Sequence, residues 1–166
     1  MSIAFKAMQF ARDVHKDQRR KYTNNPYTDH LAEVAGIVAT VANQYDHWRD
    51  MVVAVAWLHD CMEDQSVSDA YLSAQFGAEV AYGVFMLSDL EEGNRAERKR
   101  LSRERLACAK SWVQTIKCAD LISNTSSIVQ HDPKFSVAYL EEKRLLLDVL
   151  TKADPRLVEI ARAQAT

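Results

Sequence analysis

Four ionisable side chains stand in one six-residue stretch, His59-Asp60-Cys61-Met62-Glu63-Asp64, directly after the apolar run Met51 to Leu58. Charged groups at the end of a buried segment carry a desolvation penalty unless they are paired or bound to a metal. On a helix, Glu63 lies four residues after His59 and Asp64 four after Asp60, so two neighbouring rows of donors face one cavity. An exposed polar helix end is the plain alternative. The spacing is not that of the HExxH zinc motif, because position 63 is Glu and supplies no second imidazole. Two other places could contribute. His30 follows the basic stretch Gln18-Arg19-Arg20-Lys21, where a lone histidine also suits a surface, and Asp120 shares a helical face with Lys117 and Asn124, where a Lys117–Asp120 surface pair is the plain reading.

The elements that must carry these residues follow from apolar periodicity. Ile3, Ala7, Phe10, Ala11 and Val14 recur at spacings of three and four and predict a first helix ending near His15. Gln18 to Pro26 is polar, rich in turn formers and closed by proline, hence a loop. Thr28 or Asp29 suits the cap of a second helix with Leu31, Val34, Ala35 and Val38 on its inner face, and Asp46 suits the cap of a third. The third contains the run Met51 to Leu58, which reads as a central helix packed on all sides, since no other segment offers a partner strand. Ser68 caps a short helix that Gly77 breaks, and helical spacing resumes from Ala78 to Leu87. Glu91 to Arg105 is the most charged region, a solvated face or a lid; Trp112 to Val129, Val137 to Leu150 and a short segment from Pro155 complete the chain. The expected architecture is all-α, one domain over 1–166, with roughly eight helices around a buried central helix.

Composition sets the limits. With 166 residues, 48% hydrophobic and 27% charged, the chain suits a single globular domain, and only 4 Gly and 3 Pro argue against a turn-rich β fold. A formal charge of −2 leaves no global basic field for duplex nucleic acid or an anionic membrane, so any anionic ligand must be small and locally held. Cys61, Cys108 and Cys118 form no CxxC pair and read as small buried apolar residues of a reducing compartment. No apolar run reaches the ~18 residues of a membrane span and no signal-peptide core is present, which predicts a cytoplasmic protein.

Taken together, His30, His59-Asp60 and Asp120 resemble the H…HD…D signature of the HD superfamily of helical phosphohydrolases. Gln18-Arg19-Arg20-Lys21, Pro26-Tyr27 and His30, then Leu58-His59-Asp60, Glu63-Asp64, and Lys117-Cys118-Ala119-Asp120 with Asn124 narrow the resemblance to the (p)ppGpp hydrolase domain of RelA/SpoT proteins and to stand-alone small alarmone hydrolases. The resemblance implies one divalent metal, Mn²⁺ foremost and Fe²⁺ or Zn²⁺ as other fits, held by His30, His59, Asp60 and Asp120. It implies that Glu63 and Asp64 orient and deprotonate the attacking water. Arg20 and Lys21 would pack on the nucleotide and neutralise its phosphates, with Tyr27, Lys117 and Asn124 lining the same pocket. The implied reaction is hydrolysis of the 3′-pyrophosphate of ppGpp or pppGpp to GDP or GTP and pyrophosphate. Other readings keep the same metal site for NADPH or a nucleoside or deoxynucleoside triphosphate, or make the chain a non-catalytic nucleotide-binding module.

Overall fold

The computed structural model describes residues 1–166, and the all-α expectation is borne out: ten α-helices and one 3₁₀ segment, with no strand beyond an isolated bridge between Arg19 and Pro26. The chain forms two compact units, Met1–Ser88 and Asp89–Thr166.

In the first unit α1 (Ile3–Val14), α2 (Thr28–Val41), a 3₁₀ segment (Ala42–Trp48), α3 (Arg49–Leu58), α4 (Cys61–Gln65), α5 (Asp69–Phe76) and α6 (Ala78–Leu87) follow in order. The buried centre is α3, which packs against α1, α2 and α6. Its residues Val52, Ala54, Val55, Ala56 and Leu58 are fully buried, as a helix apolar on nearly every side requires. On α1 only Ala7 and Ala11 are buried, and two side chains that small let the helix lie close against α3. Ser68 caps α5 by accepting from the Tyr71 amide at 3.1 Å, and Gly77 breaks the chain at φ 95, both as expected.

Three starts and stops differ from the periodicity reading. Tyr27, not Thr28 or Asp29, precedes α2, without a side-chain cap. Asp46 does not cap α3; it sits at φ 51 in a kink of the 3₁₀ segment, and α3 begins at Arg49. The predicted continuous third helix ends at Leu58. His59 and Asp60 form the joint, α4 restarts at Cys61, and Ser66 in the left-handed region closes it. The row drawn from Asp60 keeps its helical bond, the Asp64 amide donating to the Asp60 carbonyl at 2.9 Å, whereas His59 lies between the two helices.

The second unit holds α7 (Arg95–Ala107), α8 (Ser111–His131), α9 (Pro133–Val149) and α10 (Pro155–Ala163). Here α8 is the centre, packed against α7, α9 and α10. Asn94, Asp132 and Asp154 cap α7, α9 and α10, and Pro133 and Pro155 each open their helix. Buried Gln114 and Thr115 on α8 accept from the amides of Lys152 and Asp154, which ties the connection before α10 to the central helix. The charged stretch folds mostly as α7, and three of its cations form ion pairs: Arg95 with Glu142, Arg100 with Glu97 and Glu104, Arg105 with Asp89 and Glu91. Cys61 and Cys118 are buried as expected, whereas Cys108, at the end of α7, is exposed.

Candidate active site

The joint between α3 and α4 and the first turn of α2 bring His30, His59 and Asp60 together. Their ligand atoms all lie within 4.8 Å of one another. The Nε2 atoms of His30 and His59 converge on Asp60 Oδ2 at 3.6 and 3.1 Å, and the two imidazoles meet edge to face with centroids 5.4 Å apart. Both histidines are 1% exposed, which removes the surface reading of His30. His59 Nδ1 donates to the Ala56 carbonyl at 2.7 Å, so the ring proton sits on Nδ1 and the Nε2 lone pair faces Asp60. Two imidazole nitrogens and a carboxylate at this spacing fit a divalent transition metal of borderline softness.

Asp60 also accepts from the Tyr27 hydroxyl at 2.7 Å. Tyr27 closes the loop after α1, and Gln18, which opens it, donates to Asp64 Oδ2 at 3.0 Å. Between these anchors the chain turns back on itself: the Arg20 amide donates to Asn25 O at 2.8 Å and the Tyr27 amide to Gln18 O at 2.9 Å. Asn24 takes the left-handed conformation at φ 57, a place usually filled by glycine, and its short polar side chain tolerates it. The turn carries Arg20, half-buried, and Lys21, exposed, between two residues bonded to the acidic cluster.

Glu63 and Asp64 are exposed on α4. Partial burial of its carboxyl, and next the charge of Asp60, hold Asp64 above the usual carboxylate range, while the Gln18 bond pulls in the other direction. A carboxylate with a raised proton affinity close to Asp60 is suited to taking a proton from water. Cys61, one residue beyond Asp60, is no rival nucleophile, because burial pushes its thiol up to about 12.

Asp120 lies in the second unit, 7% exposed on α8. Lys117 Nζ donates to its Oδ2 at 2.8 Å and Asn124 Nδ2 to its Oδ1 at 2.9 Å. The shared helical face expected of these three is present, and the Lys117–Asp120 pair exists too, but it is buried rather than on the surface. Asp89 in the same unit is held below the usual carboxylate range: burial opposes this, and the charge of Lys117 with bonds from Arg105 and Ser102 outweighs it.

Three residues of this constellation carry no signal in the charge pattern. His15, Gln18 and Gln65 form a hydrogen-bonded network around Asp64, of which the sequence reading draws in only Gln18, at the head of the basic stretch.

The chain is similar to several known proteins. The chain is 30% identical over 138 residues to guanosine-3′,5′-bis(diphosphate) 3′-pyrophosphohydrolase MESH1 of Drosophila melanogaster, covering 82% of this chain and 74% of the fly protein. It is 31% identical to the Homo sapiens protein of the same name, covering 77% and 70%. A solved structure of a metazoan SpoT ortholog that hydrolyses ppGpp superposes with a TM-score of 0.87 at 26% identity, over 99% of this chain and 94% of that one. The model of the HD domain matches residues 7–117, about two thirds of the sequence, and the chain belongs to the HD-domain family.

Proposed function

We propose that this protein hydrolyses the 3′-pyrophosphate of ppGpp and pppGpp, releasing GDP or GTP and pyrophosphate. The observation that carries the reading is the convergence of His30, His59 and Asp60 in a member of the HD family whose relatives bear the name of that hydrolase. His30, His59 and Asp60 hold a divalent ion, with Asp120 as the fourth ligand on the motif order. Bound there, an ion such as Mn²⁺ supplies Lewis-acid polarisation of a phosphoryl oxygen and a lower pKa for water.

The chain's own groups do the rest. Glu63 and Asp64 orient a water and take its proton as its oxygen attacks phosphorus. The bond from phosphorus to the 3′-oxygen breaks, and that oxygen regains a proton to leave a free 3′-hydroxyl. Arg20 and Lys21 neutralise phosphate charge, and the flat guanidinium of Arg20 also stacks on the base. Tyr27, Lys117 and Asn124 line the pocket while fixing Asp60 and Asp120. The protein acts as a single HD-type domain in the cytoplasm on a small anionic nucleotide, without duplex nucleic acid or membrane as partner. No helix is long and apolar enough to cross a membrane.

Incubation of purified protein with Mn²⁺ and, separately, ppGpp, NADPH and deoxynucleoside triphosphates tests this. GDP and pyrophosphate from ppGpp are expected. Turnover of NADPH or a triphosphate with ppGpp untouched would replace the substrate and keep the site.

A further inference from the structure

His15 ends α1 at 1% exposure and is not one of the three converging ligands, yet it sits at the root of two contacts that reach Asp60 and Asp64. One runs through Gln18. Its Nε2 donates to the Asp64 carboxylate, an acceptor only, so the amide nitrogen must face Asp64 and the amide oxygen must face inward. That oxygen lies 2.6 Å from His15 Nδ1 and 2.8 Å from Gln65 Nε2, and two donors on one oxygen leave the amide a single orientation. His15 Nδ1 must then carry the proton, and its Nε2 is a buried nitrogen without a hydrogen-bond partner. The other contact runs through Tyr27, whose ring stacks on His15 at 5.4 Å and 25° and whose hydroxyl donates to Asp60.

A buried imidazole that leaves one nitrogen without a partner is maintained at some free-energy penalty. A purely structural filler at this position needs no Nδ1 donor. We propose that His15 is a positioning residue: through the Gln18 amide, braced by Gln65, it fixes the Asp64 carboxylate, and through its stack on Tyr27 it steadies the donor to Asp60. Gln18 is the link that acts on Asp64 directly. This rests on the hydrolase reading above for what Asp64 does, and on geometry alone for the network itself. An amide is suited to the link because it passes on orientation without adding charge beside a metal centre.

A double-mutant cycle on the full-length, Mn²⁺-loaded protein tests the link, with ppGpp as substrate. Gln18→Leu should lower kcat by roughly 10- to 100-fold and move KM less than about threefold, since misplacing a proton acceptor harms the chemical step more than binding. In an Asp64→Asn background the same change should lower kcat by less than about threefold, because a residue that acts through Asp64 has nothing left to position. His15→Phe keeps the ring stack and loses the donor, so it should resemble Gln18→Leu; His15→Asn, with an amide nitrogen near the place of Nδ1, should regain much of kcat. Nitrogen NMR should find His15 protonated on Nδ1 in the wild type and no longer fixed in that form in Gln18→Leu. An equal loss from Gln18→Leu in both backgrounds, unchanged kcat in that variant, or His15 protonated on Nε2 in the wild type would each overturn the proposal. Failure of the wild type to hydrolyse ppGpp would instead defeat the hydrolase reading, and the tautomer would still decide the network.

Discussion

The Nε2 atoms of His30, on α2, and His59, at the α3–α4 joint, both face the Asp60 carboxylate from buried positions, a donor set that suits a divalent metal. Elemental analysis of protein purified without chelator should find about one divalent transition metal per chain, and His59→Ala should lose it, because removing one of few ligands weakens a site by orders of magnitude. A wild type that neither retains metal nor binds added Mn²⁺ would refute the assignment. Arg20 and Lys21 differ in kind. Arg20 is half-buried on a turn anchored to Asp64 and Asp60, and its planar fork can stack and pair at once, whereas exposed Lys21 offers a point charge. Arg20→Ala should lower kcat/KM for ppGpp at least about tenfold, or ~1.4 kcal/mol, with Arg20→Lys restoring only part. Melting temperature and metal content are expected to stay at wild-type values; kinetics unchanged in Arg20→Ala would remove the loop from substrate binding.

At the scale of elements, the turn from Gln18 to Tyr27 determines where those cations stand. Its reversal depends on Asn24 in the left-handed region, which disfavours residues with a Cβ by about 1–2 kcal/mol and favours Asn among them. Asn24→Gly should be nearly neutral. Asn24→Ala should cost about 1 kcal/mol, or roughly 2–4 °C in melting temperature for a chain of this size. Calorimetry of the two variants separates them, and equal melting temperatures would show that the strain is relieved by local movement of the turn.

Across the molecule, buried charge is almost always paired, and Lys143 is the exception. It is 1% exposed in the second unit, with only Thr125 Oγ1 at 2.7 Å and Gln164 Oε1 at 2.9 Å as acceptors and the buried thiol of Cys118 nearby. Burial lowers its pKa from 10.5 to about 8. The charged form is thus disfavoured in the fold, and between about pH 8 and 10.5 the unfolded chain binds more protons at this position, so its contribution to stability rises with pH across that window. Below pH 8 the full penalty, on the order of 3 kcal/mol at most, is present. Lys143→Met should therefore gain stability relative to wild type near neutral pH, and denaturant titration should show the gain shrinking as pH rises from 8 to 10.5. A difference constant across that window would mean that Lys143 titrates normally in the fold.

Much of this protein was legible from residue order alone. Threefold and fourfold apolar spacing is a local property of a helix, so the all-α class and the buried α3 followed from it, while the cap at Ser68 and the break at Gly77 followed from residue type. The order of His30, His59-Asp60, Glu63-Asp64 and Asp120 pointed to a metal and a proton acceptor through its resemblance to the HD signature, since taken singly each residue also had a plain surface reading. Tertiary structure decided what spacing cannot encode. It buried His30, which local sequence allowed at the surface, and buried the Lys117–Asp120 pair. It broke the third helix at His59 and Asp60, where turning the chain brings both side chains toward His30. It also assembled His15, Gln18 and Gln65 around Asp64 across 46 or 47 residues of sequence. Neutral amides and a lone imidazole leave no charge pattern, and a hydrogen bond between distant segments has no periodicity, so that network exists only once the chain has packed.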